Sequence, residues 1–372
     1  MAQQILSHYG CAAEIPEHLS ASAIRRVAIV VGASSSQSQA ISTLLEDLST
    51  HFEVELVSSS SSLPQLDEVR AALPKLRAFK PQQVIAIGGG RILDLAKAMT
   101  GFAPLEDSQI EPCLRGEIQI DSVLCPVLAV PTTAGSGSES THFAVVYQGS
   151  RKFSLASQIL RPSMAFLDGR FIETCSLPQR ASCAIDALAQ AVESFWSNGA
   201  TDESRGFARS AIEKLSFLLP QSIDTMLPQD LQSLLEAANL AGRAIDISKT
   251  TAAHAYSYYF TYFHDVSHGA AVGLTLPRIF DVHEQAPDEQ ITHPMGAERF
   301  RELMRELREL LGLGDAKASD WLADLISQLG TTQDLSGIDY DLDEVIASVN
   351  QQRLGNNPVR LTPADIDYVF SG

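Results

Sequence analysis

The stretch QVIAIGGGRILDLAKA, Gln83 to Ala98, decides the fold, because an apolar run that reads as a strand, Gln83 to Ile87, passes directly into three glycines and then into helical spacing. Short continuous apolar strands of this kind suit a parallel sheet covered on both faces. Glycine lets backbone approach a ligand closely, and free N–H groups at a helix start attract phosphate. A tight strand-to-helix turn needs the same residues, so Gly88, Gly89 and Gly90 alone leave a phosphate cradle and a plain turn equally open. Asp94 and Lys97 fall in the first turns of the helix, where the carboxylate also suits the macrodipole.

Upstream, Arg26 to Gly32 (RVAIVVG) and Glu53 to Ser58 read as strands, with helices over Gln37 to Leu48 and Leu66 to Phe79. Strands rich in Val and Ile that alternate with amphipathic stretches indicate a sheet joined through crossover helices. Downstream, the apolar strand Val127 to Val130 ends in PTTAGSGSE, Pro131 to Glu139, which sets Thr132, Thr133, Ser136 and Ser138 among glycines. Such a composition suits hydrogen bonding to a pyrophosphate or a nicotinamide amide. Ligands of open α/β sheets bind outside the carboxyl ends of the strands, where both loops fall. After Leu177-Pro178 strand-like runs vanish, and Ala181 to Trp196, Glu203 to Leu219, Asp230 to Ile247 and Ala297 to Leu311 show helical spacing. The expected fold is an α/β dinucleotide-binding domain over 1–177 followed by an all-helical domain over 178–372.

Composition narrows the function. The 372 residues carry 27 Lys and Arg against 45 Asp and Glu, a net charge of −18, which argues against nonspecific binding of nucleic acid. Apolar runs such as Val123 to Val130 fall well short of the ~18 residues that span a bilayer, and no basic n-region precedes an apolar h-region. A soluble, cytoplasmic protein without membrane partners is expected. The five cysteines are widely spaced with no CxxC pair, so reduced and mostly buried thiols are expected. The serine run Ser58 to Ser62 reads as a surface loop.

In the helical half, Asp186 and Gln190 lie four residues apart on one helix face, and His254, Tyr258, His264 and His268 cluster within fifteen residues. Asp with two His is a plausible set for Zn(II) or Fe(II). A histidine is more often a surface or satisfied core residue, and spacing alone leaves that reading open.

In this order, GGGRILDLAKA, PTTAGSGSE, DALAQAVES (Asp186 to Ser194), HAYSYYFTYFHDVSHG (His254 to Gly269) and NPVRLTPADI resemble the iron-containing (group III) alcohol dehydrogenase family. The resemblance covers essentially the whole chain. It implies an oxidoreductase with an N-terminal dinucleotide-binding domain, a helical C-terminal domain, metal and substrate in the cleft between them, and a homodimer. Carried over by position, Asp186, His254 and His268 match three metal ligands. Gln190 stands where the family usually has a histidine, and Tyr258 where many members carry another active-site histidine. Arg91 replaces a serine after the glycines, either adding charge near the cofactor phosphates or facing solvent.

Within the family, KTTAAHA (Lys249 to Ala255), the Gln of DALAQAVESFWS and SHGAAVGLTLP resemble phosphonoacetaldehyde reductases of phosphonate biosynthesis. That resemblance implies reduction of phosphonoacetaldehyde to 2-hydroxyethylphosphonate, with Lys249, Thr250 and Thr251 facing the dianion. A metal would stabilise the developing negative charge, and in its absence Tyr258 or His264 would donate to the oxygen. The alternatives are a lyase resembling dehydroquinate synthase, which uses NAD transiently, and a catalytically silent cofactor-binding protein. After the first strand the chain reads Gly32-Ala33-Ser34-Ser35-Ser36, with no carboxylate to repel a 2′-phosphate, so NADP is expected over NAD, with Gly32, Ser34 and Ser35 at the adenosine ribose.

Overall fold

The computed structural model describes residues 3–149, 151–221, 223–331, 335–349 and 351–371. The chain divides into two compact units, Met1–Cys175 with Leu231–Leu235, and Ser176–Asp230 with Glu236–Gly372. Among the described residues the first unit holds the strands β1 (Gln4–Ser7), β2 (Arg26–Gly32), β3 (Glu53–Ser59), β4 (Gln83–Gly88), β5 (Val127–Pro131), β6 (Phe143–Gln148), β7 (Arg151–Ala156) and β8 (Met164–Leu167). Six of them form a parallel sheet in the order β1-β8-β5-β4-β2-β3, and β6 pairs antiparallel with β7.

The sheet is buried on both faces, as the unbroken apolar strands require. On one face Val27, Ile29, Val31, Ile85, Ile87, Leu128 and Val130 pack with α1 (Ile15–Ala21) and α2 (Gln39–His51). On the other, Ala28, Val30, Val84, Ala86, Val127 and Ala129 pack with α3 (Leu66–Phe79), α4 (Gly90–Phe102) and α5 (Asp107–Leu114). Each fully buried Val or Ile contributes about 1.5–3 kcal/mol, so the alternation fixes register as well as stability. The chain runs from β2 outward to β3, then crosses to the opposite side of β2 for β4. The crevice at the carboxyl ends of β2 and β4 is therefore the topological switch point of the sheet.

The second unit is helical: α6 (Leu177–Trp196), α7 (Asp202–Leu218), α8 (Pro228–Ser248), α9 (Ala252–Phe263), α10 (His268–Gly273), α11 (Leu276–Gln285), α12 (Gly296–Leu311), α13 (Ala318–Gln328), α14 (Leu342–Ser348), α15 (Gln351–Leu354) and α16 (Pro363–Phe370). Helix α6 begins earlier than its apolar spacing suggests, because Ser176 caps the backbone of Gln179 and Pro178 fits the first turn. Between Ala181 and Trp196 it is almost wholly buried, charged residues included. Among the described residues no helix is long and apolar enough to cross a membrane, and the five cysteines are free thiols.

Candidate active site

Asp186, Gln190 and Glu193 follow one another at i, i+4 and i+7 along α6, so they share one face, and all three are buried. Helix α9 brings His254 to that face and the start of α10 brings His268. One ligand atom from each of Asp186, His254 and His268 lies within 4.8 Å of the others. His254 Nε2 is 3.2 Å from Asp186 Oδ1, and its Nδ1–H donates to the Glu193 carboxylate. The Gln190 amide nitrogen donates to Asp186 Oδ1 at 3.0 Å, which leaves Gln190 Oε1 buried without a partner. An orphaned amide oxygen beside a carboxylate and two imidazoles is what a divalent cation would satisfy, and the donor set fits Zn(II) or Fe(II).

The electrostatics point the same way. Burial pushes the Asp186 carboxyl up, yet the bonds from His254 and Gln190 and the charge of both imidazoles bring it below the ordinary carboxylate range. Burial lowers the His254 pKa, but Glu193 and Asp186 outweigh it and raise it to about 9. The pocket is thus built to hold positive charge. Glu193 also accepts from Thr251 Oγ1 at 2.8 Å and from the backbone N–H groups of Ala253 at 2.9 Å and His254 at 3.3 Å. One carboxylate therefore caps α9 and orients the imidazole.

Around this set, the Tyr258 ring stacks on His268 with centroids 5.6 Å apart, and the Arg353 guanidinium lies 5.1 Å from the Tyr258 centroid. Burial raises the Tyr258 pKa, so the phenol is neutral at ordinary pH. His264 lies outside the trio, at the end of α9, packed against Tyr259 and Phe260. Lys249 is exposed, in a left-handed conformation at φ 61° where α8 ends, whereas Thr250 and Thr251 are buried. Thr251 serves Glu193, and Thr250 Oγ1 accepts from Arg353 Nη1 at 2.7 Å.

In the first unit the two small-residue loops meet. Gly88 of β4 pairs with Pro131 of β5, and Thr132 N donates to Gly88 O at 3.1 Å. A Cβ on Gly88 would strike Ile92, one on Gly89 would come within 3.1 Å of Thr133 Oγ1, and one on Gly90 would strike Ser136. These glycines are therefore demanded by close approach. Thr133 and Ser136 are half-buried beside them, and Thr132 is buried. Asp94 and Ser138 face inward instead: Asp94 accepts from Ser138 Oγ at 2.5 Å and from Val145 N at 2.9 Å. The buried Lys97 ammonium donates to Ser138 Oγ, Thr141 Oγ1 and Phe143 O. That network braces the loop. Gly32 ends β2 with Ile92 and Ser35 against it, and Ser34 and Ser35 begin the following turn. Arg91 does not simply face solvent; it is half-buried and donates to Ser59 Oγ and Ser59 O at the end of β3.

Sequence reasoning left three residues of the helical site unassigned. Glu193 stands within the quoted DALAQAVES motif, seven residues after Asp186, a helical spacing that shares its face. Gly269 follows His268 directly; a Cβ there would overlap the Ser182 carbonyl and come within 3.0 Å of Asp186 N, so glycine sets the contact of α10 with α6. Arg353 carries no signal in the sequence, lying 103 residues from Thr250.

The chain matches known proteins along its length. The family model of iron-containing alcohol dehydrogenase matches residues 2–169, and that of the C-terminal region of the Fe-containing alcohol dehydrogenase family matches residues 180–371. Phosphonoacetaldehyde reductase of Streptomyces viridochromogenes is 33% identical over 304 residues, covering 79% of this chain and 77% of the relative. The crystal structure of sulfoacetaldehyde reductase from Bifidobacterium kashiwanohense in complex with NAD+ superposes with a TM-score of 0.88 at 26% identity, covering 99% of this chain and 96% of that one. An iron-containing alcohol dehydrogenase from Thermotoga maritima superposes with a TM-score of 0.83 at 25% identity, covering 100% and 97%. A silent cofactor-binding protein and a synthase-like lyase give way to these matches. The chain belongs to the iron-containing alcohol dehydrogenase family and is an aldehyde/alcohol oxidoreductase of that family.

Proposed function

We propose that this protein reduces a small aldehyde bearing a phosphonate, phosphonoacetaldehyde to 2-hydroxyethylphosphonate, with NADPH as hydride donor and a divalent metal held by Asp186, Gln190, His254 and His268. The orphaned, buried Gln190 Oε1 beside the trio carries this reading, because it supplies the fourth oxygen or nitrogen that the histidine at this position would otherwise provide. The α/β domain, 1–177, takes the dinucleotide and the helical domain, 178–372, takes metal and aldehyde.

A bound nicotinamide would supply hydride to the aldehyde carbon, so that negative charge would develop on the aldehyde oxygen. A Lewis-acid ion held by Asp186, Gln190, His254 and His268 would stabilise that charge. The Tyr258 hydroxyl, held neutral by burial and stacked on His268, is the donor we assign to the oxygen; His264, outside the trio, is the weaker alternative. Glu193 keeps the proton of His254 on Nδ1, so that Nε2 presents its lone pair to the metal. The backbone N–H groups of Gly89 and Gly90 at the start of α4 receive the pyrophosphate, and the Thr132, Thr133 and Ser136 loop holds the nicotinamide side. Asp94 and Ser138 act through that loop. Gly32, Ser34 and Ser35 receive the adenosine ribose, and the absence of a carboxylate from Gly32 to Ser36 supports NADPH.

The test is turnover of NADPH and NADH with phosphonoacetaldehyde and a panel of uncharged aldehydes, by metal-replete protein and after chelation. NADPH and phosphonoacetaldehyde should be preferred and chelation should abolish activity. Full activity of metal-free protein would sink the metal assignment. Gly32→Asp should lower the NADPH to NADH efficiency ratio roughly 30-fold, about 2 kcal/mol of charge repulsion at close range; a wild type favouring NADH overturns the cofactor assignment.

A further inference from the structure

The hydrogen bonds behind the metal trio continue beyond Glu193, and only one arrangement of protons satisfies them. Trp196, the last residue of α6, stands three positions after Glu193, so the two side chains are neighbours on that helix. Its indole is fully buried and meets Phe280 and His283 edge-on, with ring centroids 5.5 and 4.5 Å away. The indole Nε1–H donates to Thr251 Oγ1 at 3.0 Å. An indole nitrogen can only donate, so the threonine oxygen must accept there, and its single proton goes to Glu193 Oε1 at 2.8 Å. The carboxylate in turn takes the Nδ1 proton of His254, whose Nε2 faces Asp186.

Thr251 departs from what its position invites. It immediately precedes α9, where a threonine oxygen ordinarily accepts from the first backbone N–H groups of the helix. Its side chain makes no such bond, and Glu193 takes the N–H groups of Ala253 and His254 instead. The hydroxyl is thereby left to link the indole to the carboxylate.

We propose that Trp196 is a positioning residue for the metal: acting through Thr251, it fixes the direction of the hydroxyl, and so keeps one Glu193 oxygen supplied with a donor and the other turned to His254 Nδ1. This rests on the metal reading of the site given above and extends it, through two further hydrogen bonds, to a residue outside the ligand set. Without the indole N–H the Thr251 hydroxyl can rotate toward another acceptor. Glu193 then loses one of the bonds that set its plane, and the imidazole is held less firmly with its Nε2 lone pair toward the ion. A Trp196 that only filled the core against Phe280 and His283 would show no dependence on Thr251.

The experiment is chelator-competition titration of Zn(II) and Co(II) into the full chain, for wild type, Thr251→Val, Thr251→Ser, Trp196→Phe and the Trp196→Phe/Thr251→Val double variant, with the melting temperature of each metal-free protein. The dissociation constant should rise about 10-fold in Thr251→Val, stay near wild type in Thr251→Ser, and rise about fivefold in Trp196→Phe. In the double variant it should match Thr251→Val alone, because the indole has no hydroxyl left to act through. A second measurement leaves the tryptophan in place and decides the matter if Trp196→Phe does not fold. With isotope-labelled indole nitrogens, the N–H resonance of Trp196, told from that of Trp321 by Trp321→Phe, should move when Zn(II) is added to wild type and stay in place in Thr251→Val. A Trp196→Phe constant within about twofold of wild type, factors that multiply to about 50-fold in the double variant, or a Trp196 resonance indifferent to Zn(II) in wild type would each overturn the positioning role and leave the metal site standing. A wild type that binds neither ion overturns the metal reading and this inference with it.

Discussion

Replacing Glu193 by Gln is the sharpest probe of the helical site, because it changes one atom in a carboxylate that contacts no proposed substrate. Glu193 is fully buried and accepts from Thr251 Oγ1, Ala253 N and His254 N through one oxygen and from His254 Nδ1 through the other. In the variant the amide oxygen can keep the first three bonds. The amide nitrogen then faces an N–H at His254, and the imidazole must move its proton to Nε2 or turn away, either of which spoils the lone pair offered to the metal. The lost charge-assisted bond is worth about 1.5–3 kcal/mol, in line with the 10–100-fold cost in metal affinity typical of such supporting groups. Competition titration of Zn(II) or Co(II) against a chromogenic chelator measures the affinity, and thermal melts of the metal-free protein report folding. A dissociation constant within about threefold of wild type would show that Glu193 merely caps α9, and the argument for its role at the metal would fall.

Other substitutions probe the same framework. Gly269→Ala places a methyl group against the Ser182 carbonyl and the Asp186 backbone, so α10 must shift; a loss of about 2–3 kcal/mol in denaturant melts and a weakened metal site are expected together. Gln190→Ala should weaken metal binding roughly 10-fold and Gln190→His should strengthen it, read by the same chelator competition, because imidazole is the better ligand for Zn(II) or Fe(II). Asp281 accepts from Tyr368 at 2.6 Å and pairs with Lys317 at 2.8 Å; burial raises its pKa, but these partners and Ser319 bring it below the ordinary carboxylate range. A depressed carboxyl stabilises the fold above its unfolded pKa of about 3.9 and loses that contribution as pH falls through the folded value, so Asp281→Asn should be less stable than wild type at pH 7 by about 1–2 kcal/mol and converge with it below about pH 4.

The fold was legible wherever a segment was long and one-sided. Arg26 to Gly32 and Leu66 to Phe79 fall where the apolar pattern puts them, and the strand that opens the glycine loop extends one residue, through Gly88. Among the elements that escaped notice, β1 and β8 span four residues each, too short for a period to declare itself, and they pair with one another in the sheet. Ser59 shows the same limit from the other side. Serine predicts a loop, but pairing with Gly32 in a parallel register carries β3 one residue past its expected end at Ser58, and the Ser59 hydroxyl is buried between Glu68 and Arg91.

The site divides along the same line. Asp186 and Gln190 are legible because both sit on one helix, where a spacing of four fixes a shared face whatever surrounds it. Glu193 is on that face too, yet a carboxylate in a helix ordinarily belongs to a solvated surface, and only the arrival of Thr251 and the first turn of α9 gives it donors enough to be buried. The cation is the clearest case. Proximity along the chain to His254 singles out Lys249, but α8 ends at that residue with a left-handed turn that leaves its side chain exposed. Arg353 comes from a distant segment that Asn356 ties across Ser248 and Thr250, the two residues flanking Lys249. The backbone that turns the lysine outward is therefore the same backbone that seats the arginine, through a contact between chain segments a hundred residues apart.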